Sequence, residues 1–264
     1  MSTPTLPRTP TEIRRLIRHG EYSSVTGGLA PGYVQANLVI LPKQLAFDFL
    51  LFCQRNPRPC PLLEVMEPGE WEPRLTSPGA DIRTDVPRYR IFRDGQVVDE
   101  VTDIQSLWRE DLVSFLLGCS FTFESAMTDA GIPLWHWETG KNVTMFITNI
   151  DATPAGAFSG PMVVSMRPIH QTQVVRAVQV TSRFPGAHGA PIHIDNPETI
   201  GIRNINQPDY GDAAEFKEGQ VPVFWACGVT PQAVALKSKP SFMITHAPGH
   251  MFITNMRDTD LAAL

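Results

Sequence analysis

Two blocks recur in the same order along this chain, and they set the frame for its fold. The first is Phe115-Leu116-Leu117-Gly118-Cys119-Ser120-Phe121-Thr122-Phe123-Glu124, matched by Val223-Phe224-Trp225-Ala226-Cys227-Gly228-Val229-Thr230-Pro231-Gln232. Both read as an apolar run, then Cys, a small residue, an apolar residue, Thr and, two positions on, Glu or Gln. The second block is Met145-Phe146-Ile147-Thr148-Asn149, which returns unchanged as Met251-Phe252-Ile253-Thr254-Asn255. Cys119 to Met145 spans 26 positions (145 − 119), and Cys227 to Met251 spans 24 (251 − 227). Two matched blocks at nearly one spacing indicate an internal duplication.

One copy shows what the other should do. Val221 to Ala226 is apolar, β-branched and aromatic, and reads as a short buried strand. Thr230-Pro231 reads as a helix cap followed by proline at the first helical position. Cys227 then lies on a strand-to-helix turn at a helix N-terminus, where free N–H groups and the helix dipole favour an anion. A thiol there is expected to ionise more easily, and a substrate carboxylate could dock. The same follows for Cys119, with Leu112 to Gly118 as its strand. The plainer alternative is that each Cys is a small buried hydrophobe, and that Thr122 and Thr230 only cap helices.

At 264 residues the chain suffices for one large domain or two modest ones. A net charge of −5 with no basic stripe makes nucleic acid and anionic membranes poor partners. Met1 to Arg8 has no apolar signal core, and Leu45 to Phe52 is too short to span a bilayer. Four Cys in such a chain do not suggest a disulfide framework, so a reduced, cytoplasmic setting is expected.

Taken in order, Thr9-Pro10-Thr11-Glu12 reads as a capping box opening a helix that stops at Gly20. Val34 to Leu41 reads as a strand, Pro42 to Asn56 as a helix, and Pro61 to Val65 as a strand. Arg88 to Val97 reads as a hairpin turning at Asp94-Gly95. Thr102 is expected to cap a short helix over 103–108. A helix follows near Glu124 to Ala130, then a strand over Asn142 to Ile150. Gly160 to Pro168 and Val174 to Thr181 both read as strands. Arg183 to Asp195 is a loop that gathers Arg183, His188, His193 and Asp195. The fold class is α/β in two domains. Residues 1–154 and 220–264 form a larger three-layer α/β domain of two similar halves, and 155–219 form a smaller α+β domain inserted between them.

Gly28-Leu29-Ala30-Pro31-Gly32-Tyr33-Val34-Gln35-Ala36-Asn37, Phe52-Cys53-Gln54-Arg55-Asn56-Pro57 and the two Cys blocks resemble a bacterial hydro-lyase family. That family is similar to a domain of the mitochondrial D-glutamate cyclase. The resemblance covers nearly the whole chain. It implies a two-domain α/β fold, a cytosolic setting and a reaction that eliminates water, as when D-glutamate closes to 5-oxo-D-proline. No catalytic residues come with it.

The residues themselves suggest a site. Two thiols, Cys119 and Cys227, would face each other across a small acidic substrate. His188, His193 or Glu124 would serve as acid. Arg183 would clamp a carboxylate, with Thr122, Thr230, Gln232, Asp195 and Arg83 as further binding residues. No cofactor and no metal are expected, although hydration assisted by a metal on His188, His193 and Asp195 is a third option. The partner is a small carboxylate or amino acid, with no nucleic acid and no membrane, and a homo-oligomer is compatible with the sequence. The rival reading is a carboxylate-binding module without catalysis.

Overall fold

The apolar run before Pro42 and the amphipathic stretch after it build the first layer contact. In a computed structural model that describes residues 9–263, Pro10–Arg18 forms α1, Tyr33–Pro42 forms β1 and Lys43–Arg55 forms α2. Phe49, Phe52 and Cys53 turn inward from α2 onto Val39 and Leu41 of β1. Burying each phenylalanine contributes roughly 1.5–3 kcal/mol. Met1 to Arg8, expected to lack a signal core, lies outside the described residues.

The chain continues through β2 (Leu62–Val65), the hairpin β3 (Tyr89–Arg93) and β4 (Gln96–Val101), β5 (Leu112–Gly118) and α3 (Phe121–Asp129). The hairpin turns at Asp94-Gly95, both with positive φ (50° and 77°), as a two-residue hairpin turn requires. After α4 (Trp135–Thr139) come β6 (Thr144–Asp151), β7 (Pro161–His170), α5 (Val174–Ser182) and β8 (His193–Ile194). The chain closes with β9 (Gln220–Ala226), α6 (Thr230–Ser238), β10 (Met243–His246) and β11 (Phe252–Arg257).

The architecture is mixed α/β, with two antiparallel sheets. The first has the order β2-β5-β1-β10-β3-β4, with β11 also paired to β1; the second has the order β6-β7-β9-β8. Within them lies one repeated pattern. In the first sheet β2, β5, β1 and β11 are neighbours in turn; in the second β8, β9, β7 and β6 are. Each half of the chain thus begins in one sheet and ends in the other: the first sends β6 across, and the second sends β10 and β11. The registers agree to the residue. Gln35 faces Ile253 and Ala36 faces Phe252, just as Val163 faces Ile147 and Val164 faces Phe146.

Side chains repeat the symmetry. The Thr122 hydroxyl accepts the Gln35 N–H at 3.3 Å, and the Thr230 hydroxyl accepts the Val163 N–H at 2.9 Å. Thr148 donates to the Met162 carbonyl and accepts the Ile150 N–H; Thr254 does the same with Val34 and Met256. The consecutive stretches 33–151 and 161–257 are therefore the two halves, related by a pseudo-twofold axis.

Three expectations differ from what is found. Val174 to Thr181 is a helix, because Ala177 and Thr181, four apart, both bury against the neighbouring cluster. The β-branched residues yield to that packing. Residues 103–108 hold only a short 3-10 turn at Gln105–Leu107, with the Asp103 carboxylate, not Thr102, accepting the Gln105 N–H. Strands on both sides of the 155–219 segment, β6 and β9, pair with β7 inside it, so the second sheet draws on all three stretches.

Candidate active site

Because the halves exchange strands, both Cys turns arrive at one place. Cys119, Cys227, Phe121, Val229, Met145 and Met251, three pairs of equivalent residues, belong to a single buried cluster. The Phe121 N–H donates to the Cys119 sulfur at 3.5 Å. The same kind of hydrogen bond from Val229 reaches Cys227. Each sulfur does sit at a helix N-terminus, but water is excluded: the residues are only 5% and 7% exposed. Burial outweighs the backbone N–H and pushes the Cys227 thiol up to about 11. It pushes Cys119 up as well. The eased ionisation expected from helix position is thus reversed by desolvation.

Equivalent positions on the two helices carry different polar centres. Glu124 on α3 is buried and receives the Arg167 guanidinium, His136 Nε2 at 2.9 Å and Trp137 Nε1 at 2.7 Å. Burial alone would raise this carboxyl; His136 and Arg167 outweigh it and hold it at about 2. Arg167 also donates to Ser120 and Ser165, at 3.0 and 3.1 Å. Gln232, the counterpart on α6, donates to the His246 carbonyl at 2.9 Å and accepts from Arg90 at 3.3 Å.

Arg90 leads to the surface. A polar cleft of about 590 Å³ opens beside the paired thiols, lined by Ser23, Ser24, Arg88, Arg90, Glu100, Asn142, Asp209, Tyr210 and the turn Ala247–His250. It lies on the pseudo-twofold axis. Asn142 and Pro248 each stand three residues before a repeated methionine, and the Asn142 amide donates to the Pro248 carbonyl at 3.0 Å. Tyr210 forms the wall between cleft and cluster, packing on the cluster that holds both sulfurs. Burial pushes its phenol up to about 12.

Arg88 and Arg90 share one carboxylate, Glu100, at 3.9 and 2.6 Å. Asp209 is occupied by the Ile147 N–H at 2.8 Å. Among the described residues, Arg88 Nε and Asn142 Oδ1 are buried atoms with no hydrogen-bond partner. His250 Nδ1 donates to the Pro248 carbonyl at 3.1 Å, which leaves Nε2 as the lone pair. Burial lowers the His250 pKa, so the uncharged ring is favoured. The cleft therefore offers guanidinium donors, an unused amide acceptor and a base with a fixed tautomer.

The model of a family described as D-glutamate cyclase matches residues 113–255. The chain belongs to the D-glutamate cyclase family. Relatives across its length are named as hydro-lyases. "Putative hydro-lyase GK2103" of Geobacillus kaustophilus is 61% identical over 98% of both chains. "Putative hydro-lyase YcsI" of Bacillus subtilis is 59% identical over 97% of this chain and 99% of that one. A "Putative hydro-lyase" of Stutzerimonas stutzeri is 59% identical over 97% and 96%. The stretch matched to the D-glutamate cyclase family runs from β5 to β11 and contains both Cys turns.

The other residues expected at a site are scattered over this family fold. His188 is 1% exposed, its Nδ1 donates to the Arg58 carbonyl at 2.6 Å, and burial lowers it to about 4. His193 bonds Asn196 and Thr199 near the surface, and Asp195 is exposed. Among the described residues, no three His, Cys, Asp or Glu side chains gather as a metal site. Arg183 lines a separate cavity with Arg176 and Asp258. Arg83 is clamped by Asp81 and stacks on Trp71. The Thr122 and Thr230 hydroxyls are spent on strand backbone, not on helix N–H groups. Only Gln232, through Arg90, abuts the cleft. Arg88, Arg90, Asn142, Tyr210 and His250 carried one available signal: His250 directly precedes one repeated Met-Phe-Ile-Thr-Asn block, and Asn142 stands three residues before the other.

Among the described residues no helix is long and apolar enough to cross a membrane.

Proposed function

We propose that this chain is a hydro-lyase that closes D-glutamate to 5-oxo-D-proline in the cleft on the pseudo-twofold axis. The observation that carries the reading is the convergence there of Arg88, Arg90, His250 and the unused Asn142 Oδ1. Two guanidinium groups suit two carboxylates, and the amide oxygen suits the substrate ammonium. In the reaction the substrate nitrogen attacks the γ-carboxyl carbon, an N–C bond forms and a C–O bond breaks. Two of the three ammonium protons leave with that oxygen as water, so no net proton is consumed. His250 Nε2 takes the first proton from the ammonium. Tyr210, still protonated at neutral pH, hydrogen-bonds the carboxyl oxygen that becomes the leaving group. A guanidinium beside the γ-carboxyl stabilises the oxyanion of the tetrahedral intermediate.

Cytoplasmic, cofactor-independent action on free amino acids is part of this proposal. The test is chiral chromatography of 5-oxo-D-proline after incubation of the purified protein with D-glutamate, repeated with Arg90→Ala and His250→Gln. Saturable binding of D-glutamate without product would instead support a carboxylate-binding module.

A further inference from the structure

The two arginines of the cleft stand on an element that the duplication does not supply. The repeated strands are β2, β5, β1 and β11 on one side and β8, β9, β7 and β6 on the other. The β3–β4 hairpin has no counterpart in the second sheet among the described residues. Arg88 immediately precedes β3, and its carbonyl accepts the Ala247 N–H at 2.8 Å. Arg90 follows two residues on. Along extended chain that spacing is about 6.5 Å and returns to the same face, and both arginines line the one cleft.

Directly opposite Arg90 across the hairpin is Glu100. Its carboxylate is divided between the two arginines. One oxygen accepts from Arg90 Nε at 2.6 Å, and the other faces Arg88 Nη1 at 3.9 Å. Arg90 Nη1 donates to Gln232 at 3.3 Å, and the guanidinium carbon lies 5.8 Å from the centre of the Tyr210 ring. Two guanidinium groups side by side repel each other, and one carboxylate between them holds them together. Exposed ion pairs contribute little to stability. Glu100, on an edge strand exposed along most of its length, therefore acts on where the guanidinium groups sit more than on whether the chain folds.

We propose that Glu100 is a positioning residue that sets the chain length of the ligand. It fixes the spacing of Arg88 and Arg90, and with it the separation of the two carboxylates that the cleft accepts. This rests on the cleft's proposed role as the D-glutamate site. The glutamate skeleton places three carbons between its carboxylates; a four-carbon diacid falls short of that fork and a six-carbon diacid overshoots it. Glu100→Gln keeps an oxygen for Arg90 but turns an amide donor toward Arg88, which is released. Glu100→Asp keeps the charge and withdraws it by one methylene, so it cannot serve both arginines.

Calorimetric titration of succinate, glutarate and adipate into wild type, Glu100→Gln and Glu100→Asp reads the spacing without turnover. Wild type should bind glutarate about tenfold more tightly than either neighbour, and each variant should bring the three diacids to within about threefold of one another. A residue that only supported the fold would weaken all three alike. Equal weakening of all three, an undiminished glutarate preference in either variant, or no preference in wild type overturns the proposal. In each of those cases, turnover of D-glutamate by wild type that is lost in Arg90→Ala leaves the proposed reaction standing. A wild type that binds none of the diacids and does not turn over D-glutamate overturns both.

Discussion

His188 has a positive φ of 78°, a buried ring and a carbonyl partner, and these three facts make it a stability element. Burial is the largest cause holding it near 4, with Arg167 and Arg58 adding to it against the Arg58 hydrogen bond. In the unfolded chain it titrates near 6.5. The unfolded state therefore binds a proton first as pH falls, and stability drops from about pH 6.5 and levels off below about pH 4. The loss from this group amounts to about 3 kcal/mol at most. Asparagine tolerates positive φ and can supply an N–H to the Arg58 carbonyl. Urea midpoints for His188→Asn should thus fall less steeply between pH 6.5 and 4 than those of wild type. His246, pressed by burial to about 3, leaves a residual slope in both proteins. The hydroxyl clasps make a graded pair at the same scale. Thr230→Val strands the buried Val163 N–H and should cost roughly 1–3 kcal/mol. Thr122→Val should cost less, since its bond is longer, 3.3 against 2.9 Å; chemical denaturation reads both. Glu124→Gln leaves Arg167 without its counter-ion in a dry interior and should cost roughly 3–5 kcal/mol, read the same way.

At the scale of elements, the meeting of the halves depends on close backbone approach. A Cβ on Gly118 would lie 1.8 Å from the Gly186 carbonyl oxygen, which is backbone and cannot swing aside. Gly118→Ala should therefore lose several kcal/mol, seen as a failure to accumulate soluble protein, and Gly118→Ser should fare no better. The strands were legible because their apolar runs are bounded by proline, glycine and charge. The α2 and α6 helices were legible from proline at or next to their starts. The α5 helix was not, since Val174, Val175, Val178 and Val180 carry strand preference while the helical contacts of Ala177 and Thr181 come from elements distant in sequence. Residues 33–42 and 161–170 occupy equivalent places with almost no residues in common, so the first strand of each half gave no repeat to find.

At the scale of the molecule, duplication with exchange of C-terminal strands brings both thiols and both Met-Phe-Ile-Thr-Asn strands to one axis. The repeat blocks announced that convergence. They could not announce that packing would seal the sulfurs and leave the polar cleft beside them to Arg88, Arg90, Tyr210 and His250, which reach it from three separate stretches of chain. Around His250 stand Arg88, Arg90, Glu100 and Asp209. Because burial, then Arg88, lowers His250, the acid limb of kcat/KM should lie below the ordinary histidine value near 6.5 and vanish in His250→Gln. The most direct measurement is the rate of 5-oxo-D-proline formation by wild type, Arg90→Ala and the double variant Cys119→Ala with Cys227→Ala. Arg90→Ala should lose about a hundredfold or more in kcat/KM, while the thiol-free protein should stay within about tenfold of wild type. A thiol-free protein without activity, beside an Arg90→Ala protein that retains it, would contradict the account.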